Sequence, residues 1–264
     1  MAATFLALEP NFDPTAQTVR SLSLPRELWE IVENPAATVV GSVEELMSIA
    51  IAAARKSCLE GIDGKRGGPF GAVGAIPQRI CVEGNELDFA SWYASLTPEA
   101  TLKQSLPLSS VKSWKLIAIG VNLVEVFDNA ALHAEMVLGM QVSACTGRNW
   151  WKRFVLAVTT GAPCGMCESF FTWAAPRYVV GGAPLSGAVV AGLHEALTPA
   201  QIEALIRDPN ARPADDEPWA GNLRARGVEV RCGVESQKVI DELYIPYVAS
   251  GGTLYNSGPD DPTG

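Results

Sequence analysis

The sequence predicts a layered α/β fold, in which helices pack on a central sheet. Segments typical of buried strands alternate along the chain with segments typical of helices, and this alternation is the pattern of α/β sandwiches. The chain has 264 residues, of which 48% are hydrophobic and 19% are charged. It can therefore bury a substantial core, and it shows no internal repeat.

An irregular N-terminal extension, residues 1–41, precedes the first predicted helix. The extension contains several prolines and little apolar periodicity. Ser42 and Glu45 fit a capping box, so we expect the helix to begin at this point. Gly61 and Gly64 are expected to end it, because glycine commonly follows the last turn of a helix.

The next two segments predict a strand followed by an insertion. Residues 67–76 (GGPFGAVGAI) are typical of a turn that enters a buried strand. Residues 77–113 are too long for an ordinary connection, so we interpret them as an insertion with helical structure of its own. Phe89, Trp92 and Tyr93 in this insertion leave three alternatives: a cover over a pocket, a dimer interface or a surface subdomain.

The remaining chain alternates further strands and helices. Together these elements predict a domain over residues 42–250, followed by a flexible tail at 251–264. Pro246 is expected to bend or break the last helix. We expect strands at 115–121, 153–160, 177–182 and 227–233, and helices at 130–144, 165–175, 198–208 and 235–249.

The formal net charge of −9 and the pI near 4.8 bear on the classes of partner. Proteins that bind nucleic acid usually present a basic face to the phosphates, so the acidic charge favours a small neutral or cationic molecule as the partner of this chain.

The sequence shows neither a secretory signal pattern nor a run of eighteen apolar residues, and we therefore expect no membrane span. Six cysteines do not suggest a disulfide framework in a chain of this length. We therefore expect free or metal-bound thiols and a cytoplasmic protein.

Two cysteines three residues apart, Cys164 and Cys167, follow a predicted strand in the stretch TTGAPCGMCESFF. Pro163 leads into a helix that carries both thiols in its first turn, where the helix dipole and free N–H groups stabilise thiolates. The pair alone leaves three interpretations open: a thiol–disulfide redox pair, a metal site or two buried cysteines.

His133 is one of only two histidines in the chain, and it also opens a helix after a strand. A packed core residue is one interpretation of it. Glu135 follows two residues later, and side chains at this spacing do not share a helix face. Because two such turns meet at one edge of a sheet, the sequence predicts three zinc ligands with a fourth position for water. Glu135 would then be free to transfer protons.

The two motifs together match the ligand pattern of zinc deaminases, H-x-E followed by P-C-x-x-C. Here the pattern is HAE at 133–135 and PCGMC at 163–167. A closed structural zinc site is the non-catalytic alternative, and it requires a fourth protein ligand such as Cys232, Cys145 or His194.

The sequence resembles the cytidine-deaminase-like superfamily, and within it the branch of guanine deaminases and tRNA adenosine deaminases. The resemblance covers about residues 42–250, with 77–113 inserted, and implies a three-layer α/β/α sandwich around a mostly parallel, mixed five-stranded sheet. One departure is Ala162, where the branch usually has glutamate before Pro-Cys. The similar stretches are RGGPFGAV (66–73), IGVN (119–122), FDNAALHAE (127–135), TTGAPCGMCESFFTWAAPRYVV (159–180) and LRARGVEVRCGV (223–234).

The resemblance implies a hydrolase that replaces an exocyclic amine of a nucleobase or nucleoside by oxygen, and it implies a homodimer. A guanine-like purine is the first expected substrate, and cytosine-, cytidine- or adenine-type compounds or a specialised heterocycle are the alternatives. An RNA-editing enzyme is disfavoured by the charge of −9. The implied roles are Zn²⁺ ligands for His133, Cys164 and Cys167, proton transfer for Glu135, and substrate contacts for Asn122, the Ala134 backbone N–H and Phe70. The residue types alone leave structural alternatives open. Asn122 is also typical of a turn after a strand, and Phe70 is also typical of a core position.

Overall fold

In the computed structural model, the chain folds into a central sheet with helices on both faces. The structure describes residues 38–62, 64–97, 106–146, 151, 154–190 and 218–252. The strands are β1 (Val39–Val40), β2 (Gly71–Val82), β3 (Asn85–Asp88), β4 (Val111–Val121), β5 (Leu156–Gly161), β6 (Tyr178–Ala183) and β7 (Glu229–Arg231). The helices are α1 (Val43–Arg55), α2 (Phe89–Ala94), α3 (Val124–Phe127), α4 (Ala134–Thr146), α5 (Gly165–Ala174), α6 (Leu185–Val190), α7 (Pro218–Arg224), α8 (Ser236–Val239) and α9 (Ile245–Ala249).

The sheet is mixed, as predicted, and its strand order is β1-β4-β2-β5-β6-β7, with β3 paired to β2. The described residues contain seven strands rather than the five expected. The two additional strands are the short edge strand β1 and the polar strand β3. Neither has the apolar pattern of a buried strand, so the sequence does not predict them. The expectation of a mostly parallel sheet is wrong. Among the described strands, β5–β6 and β6–β7 pair in parallel, whereas β1–β4, β2–β3, β2–β4 and β2–β5 are antiparallel. The chain between β2 and β4 returns to the same end of the sheet, and antiparallel neighbours need no crossover helix.

Two apolar layers confirm the predicted α/β/α sandwich. Neighbouring residues of one strand point to opposite faces, as the two-residue period of a strand requires. In β4, for example, Leu116 packs with the layer that contains α1 and the C-terminal helices, and Ile117 with the layer that contains α4, α5 and α7. Because both faces are covered, the strand KLIAIGV (115–121) reads as a continuous apolar run.

The ends of α1 follow the predicted signals. The Ser42 side chain accepts a hydrogen bond from the Glu45 N–H at 3.1 Å, and Glu45 Oε2 accepts one from the Gly41 N–H at 3.0 Å. The Ser42 half of the capping box is thus confirmed, whereas the Glu45 side chain bonds the residue before the cap instead of the cap itself. The helix continues as one π-helical turn, Lys56–Glu60, and ends at Gly61, whose φ of +89° suits glycine.

The C-terminal helix is irregular one turn before Pro246. It runs from α8 through a π-helical turn, Ile240–Tyr244, into α9, where Pro246 occupies the first turn. Proline has no N–H to donate to the preceding turn, and the wider hydrogen-bond pattern of Ile240–Tyr244 adjoins this position. The predicted disturbance is therefore present, but the helix continues through the proline.

The segment 77–113 contains the predicted helix, α2, and also a hairpin of β2 and β3 that was not predicted. Phe89 is buried, and its ring lies 4.9 Å from that of Phe154. Trp92 and Tyr93 pack on the same small cluster. Because Ile80 of this cluster pairs with Val111 at the start of β4, the three predicted aromatic residues lie at the end of the sheet opposite the carboxyl ends of β4 and β5.

Several predicted features lie outside the described residues. They are most of the N-terminal extension, the helix at 198–208, His194 and most of the tail from 253 onwards. Among the residues that are described, no helix has the length and apolar character needed to cross a membrane.

Candidate active site and metal centre

Two strand-to-helix turns meet at one edge of the sheet. Strands β4 and β5 both pair antiparallel with β2, which lies between them, so their carboxyl ends point to the same edge. Helix α5 begins at Gly165, soon after the end of β5, whereas the chain passes through the short helix α3 between the end of β4 and the start of α4 at Ala134. The arrangement brings together the HAE motif at 133–135 and the PCGMC motif at 163–167.

Helix α4 packs directly on β4, and this contact sets the position of His133. A Cβ atom at Gly120 would collide with the carbonyl oxygen of Ala134, so the close approach requires glycine. The Leu123 N–H donates to the carbonyl oxygen of Leu132 at 2.8 Å, and the Val137 N–H donates to that of His133 at 2.9 Å. His133 is thus held between the end of β4 and the first turn of α4.

The structure brings the three predicted zinc ligands together. Cys164 precedes the first residue of α5, and Cys167 is buried in its first turn. His133 Nδ1 lies 3.4 Å from Cys164 Sγ and 3.8 Å from Cys167 Sγ. The three ligand atoms all lie within 4.8 Å of one another.

These spacings fit a tetrahedral zinc ion. Zinc–sulfur bonds of about 2.3 Å and zinc–nitrogen bonds of about 2.0 Å place a nitrogen and a sulfur about 3.5 Å apart on one tetrahedral ion. An imidazole with two thiols is also a ligand set that suits zinc. Cys232 is not part of this cluster, while the Cys145 side chain and His194, the other ligands considered for a closed site, are not described.

Glu135 lies beside the cluster. Its side chain is 4% exposed, and its Oε1 accepts a hydrogen bond from the Thr159 hydroxyl at 3.0 Å. Its Oε2 lies 3.4 Å from Cys167 Sγ. One oxygen is therefore held by the sheet, and the other faces the ligand atoms.

The surroundings of the site lower the pKa of one acidic group, Cys164, and raise the pKa values of two others, Cys167 and Glu135. Hydrogen bonds from Cys167 and His133 lower the pKa of Cys164 to about 4, in spite of burial. The hydrogen bond to Cys164, together with burial, raises the pKa of Cys167. Burial, and then the negative charge of Cys164, raise the pKa of Glu135. The site thus favours a thiolate at Cys164 and a carboxyl group that gains protons readily.

The predicted substrate contacts lie at the same edge, but two of them also have clear structural roles. Asn122 is buried at the end of β4, and its Oδ1 accepts hydrogen bonds from the N–H groups of Gly68 (3.4 Å) and Val124 (3.2 Å). The half-buried Phe70 contacts both apolar layers, and its ring lies 5.6 Å from that of Tyr244. Ala134 is fully buried beneath the site.

Two neighbours of the site were not found from the sequence. Thr159 contacts Glu135, and the two-residue period of β5 gives the missing signal, since Ala157 on the same face packs with the α4 layer. Tyr244 comes from the far end of the chain, and its hydroxyl would lie 2.6 Å from a Cβ atom at Gly161. No local pattern connects Tyr244 with β5.

Comparisons with known proteins identify the fold. Neither a protein-family model nor a curated protein matches the sequence. Among solved structures, the chain is similar to NE0047 in complex with 2,6-diaminopurine, with a TM-score of 0.55, 21% identity, and 92% of this chain and 98% of that chain covered. It is also similar to a guanine deaminase from Nitrosomonas europaea, with a TM-score of 0.53, 22% identity, and 86% and 94% covered. A mutant of NE0047 in complex with 8-azaguanine gives a TM-score of 0.55 at 21% identity, with 89% and 97% covered. The likeness extends over nearly the whole of both chains and confirms the cytidine-deaminase-like fold.

Proposed function

We propose that this chain is a zinc-dependent hydrolytic deaminase, which replaces the exocyclic amine of a small aminated heterocycle by oxygen and releases ammonia. The observation that carries the proposal is a cluster of one imidazole and two thiols with a buried carboxylate beside it. A deaminase needs a carboxylate in this place for proton transfer, whereas a closed structural site needs a fourth protein ligand instead.

His133, Cys164 and Cys167 would hold the zinc ion. When bound, zinc acts as a Lewis acid that makes water ionise near neutral pH. Glu135 Oε2 then accepts a proton from the attacking water, transfers it to a ring nitrogen and later assists protonation of the departing amine. The raised pKa of Glu135 suits this role, because a general acid–base works best when its pKa approaches the working pH.

A guanine-like purine is the first candidate substrate. The fold is shared with a guanine deaminase and with a protein that was solved with 2,6-diaminopurine and with 8-azaguanine. Asn122, the Ala134 N–H and Phe70 are the proposed substrate contacts. Because Asn122 Oδ1 already accepts backbone hydrogen bonds, Asn122 would contact the base through its amide nitrogen. Cytosine-, cytidine- and adenine-type compounds or a specialised heterocycle are the alternatives.

A second copy of the chain is the proposed partner, on the face formed by α4 and α5. Met166, Phe170 and Trp173 occupy one side of α5, as their spacing requires. Phe170 contacts α4 at Gly139, next to Met140. Trp173, Met140 and Met166 are 75%, 47% and 36% exposed, and exposed apolar groups of this kind commonly mark protein interfaces.

A reducing compartment suits the chemistry, and we infer a cytoplasmic location. The five described cysteines form no disulfide with one another: Cys58, Cys81, Cys164, Cys167 and Cys232. Persistent free thiols are typical of proteins in the cytoplasm.

Ammonia release from a panel of aminated bases and nucleosides tests the proposal. We expect zinc-dependent turnover of at least one purine base and no salt-sensitive binding of RNA, given the net charge of −9. Zinc retention without turnover of any panel member would instead favour a structural zinc module. A reversible disulfide between Cys164 and Cys167, with no effect of zinc, would favour a redox protein.

A further inference from the structure

We propose that Thr159 is a positioning residue of the reaction, whose hydroxyl holds Oε1 of Glu135 so that Oε2 carries the transferred proton. The inference rests on the proposed function, since it assigns the proton to one of the two carboxylate oxygens. Neither the HAE motif nor the PCGMC motif contains Thr159.

The geometry around Glu135 distinguishes its two oxygens. Thr159 is fully buried in β5, on the face that packs against α4, and its Oγ1 lies 3.0 Å from Oε1. Oε2 points the other way, to within 3.4 Å of Cys167 Sγ. The carboxylate therefore spans the distance between the sheet and the ligand cluster.

The Thr159 hydroxyl makes the two oxygens of Glu135 unequal. The Cys167 thiol also donates a hydrogen bond, to Oε2, but it loses its proton when it binds zinc as a thiolate, whereas the Thr159 hydroxyl keeps its own. A hydroxyl has one proton to donate, and while Thr159 donates it to Oε1, that oxygen is an acceptor. A proton taken from the attacking water is then carried by Oε2, the oxygen beside the zinc ligands. Because a displacement of about 1 Å can lower a rate about 100-fold, a hydroxyl that fixes this carboxylate matters for turnover.

A purely structural role for Thr159 makes a different prediction. Its Oγ1 also lies 3.2 Å from the carbonyl oxygen of Gly161, so the hydroxyl would keep a partner within the turn after β5. In that case, removing the hydroxyl would lower the stability of the fold and leave the chemistry of Glu135 unchanged.

The experiment combines variants of Thr159 with the loss of Glu135. Thr159→Val keeps the shape of the side chain and removes the donor, whereas Thr159→Ser keeps the donor. We expect kcat to fall by about 10- to 100-fold in Thr159→Val, with KM and zinc content nearly unchanged, and to recover most of its value in Thr159→Ser. In a Glu135→Gln background, Thr159→Val should cause no further loss, since the two side chains act as a unit.

Thr160→Val is the matched control. Thr160 is equally buried, and its Oγ1 accepts a hydrogen bond from the Gly71 N–H at 3.0 Å on the other face of the sheet. We expect a stability loss with kcat close to that of the wild type. Wild-type kcat in Thr159→Val, or an equal fold loss in the presence and absence of Glu135, would overturn the inference.

Crystal structures of the zinc-loaded protein give a readout that does not depend on turnover. Oε1 of Glu135 should remain within hydrogen-bond distance of Thr159 in the wild type, and the carboxylate should shift in Thr159→Val. A wild-type carboxylate turned away from Thr159 would overturn the inference even if the valine variant does not fold. Absence of ammonia release by the wild type would instead count against the proposed function.

Discussion

Glu135 lies only two residues after His133, yet the two side chains have different neighbours. The start of α4 separates them, because residues two apart on a helix face different directions. His133 points to the two sulfurs, while Glu135 reaches between Thr159 and Cys167. The spacing in the sequence was enough to predict this division. The partner of Glu135 in β5 was not predicted, since it depends on which strand lies beneath α4.

Replacing Glu135 by glutamine tests its role in proton transfer. The variant keeps the size of the side chain but cannot accept a proton, so turnover should fall by about two to four orders of magnitude. Zinc content, measured by metal analysis, should remain at the wild-type level. Glu125→Gln, in α3, is the control and should retain activity. Unchanged ammonia release by Glu135→Gln would contradict the assignment.

Replacing Cys164 by alanine tests the ligand set. The variant should lose both zinc and turnover, because two ligands remain where three are needed. Cys58→Ala is a suitable control, since burial raises the pKa of the Cys58 thiol to about 12 and makes a metal-binding thiolate unfavourable. Full zinc occupancy of Cys164→Ala, by metal analysis, would remove this cysteine from the ligands.

At the scale of elements, the packing of α4 on β4 positions one half of the site. Existence and type of the main strands and helices could be predicted from the sequence, since β4, β5 and β6 are short apolar runs and α4 and α5 follow clear turn signals. β1 and β3 could not be predicted in this way. β1 has two residues, and the NELD strand β3 pairs with β2 without an apolar face. The parallel or antiparallel pairing of the strands could not be predicted either, because it depends on how segment 77–113 returns to the sheet.

A methyl group at Gly120 should separate α4 from β4. Gly120→Ala brings the new Cβ atom into the Ala134 carbonyl oxygen and against Leu138, and overpacking of this kind costs about 1–3 kcal/mol. We expect a lower free energy of unfolding in urea and weaker zinc binding. Gly221→Ala in α7 is the control, since nothing lies within 4 Å of its Cβ position. It should leave stability unchanged or raise it by up to about 1 kcal/mol.

At the scale of the whole molecule, the sheet has two ends with different uses. The proposed zinc ligands lie at the carboxyl ends of β4 and β5, while the aromatic cluster of Phe89, Trp92 and Tyr93 lies at the other end. The third surface of interest is the exposed side of α4 and α5, which carries Trp173.

A charge on this surface should weaken the proposed dimer. Trp173→Asp replaces a side chain that is 75% exposed, so the monomer should fold normally and the dimer should dissociate, as measured by sedimentation or light scattering. Val39→Asp, at the exposed edge strand β1, is the matched control and should not alter the oligomer. A Trp173→Asp protein with the mass of the wild-type assembly would place the interface elsewhere.

The contact between Phe70 and Tyr244 has a consequence for synthesis on the ribosome. All three proposed zinc ligands lie between residues 133 and 167, so they emerge well before the C-terminal helix that carries Tyr244. We therefore expect a nascent chain to acquire its metal early, whereas the aromatic pair beside Gly161 forms only when translation has passed the last helix.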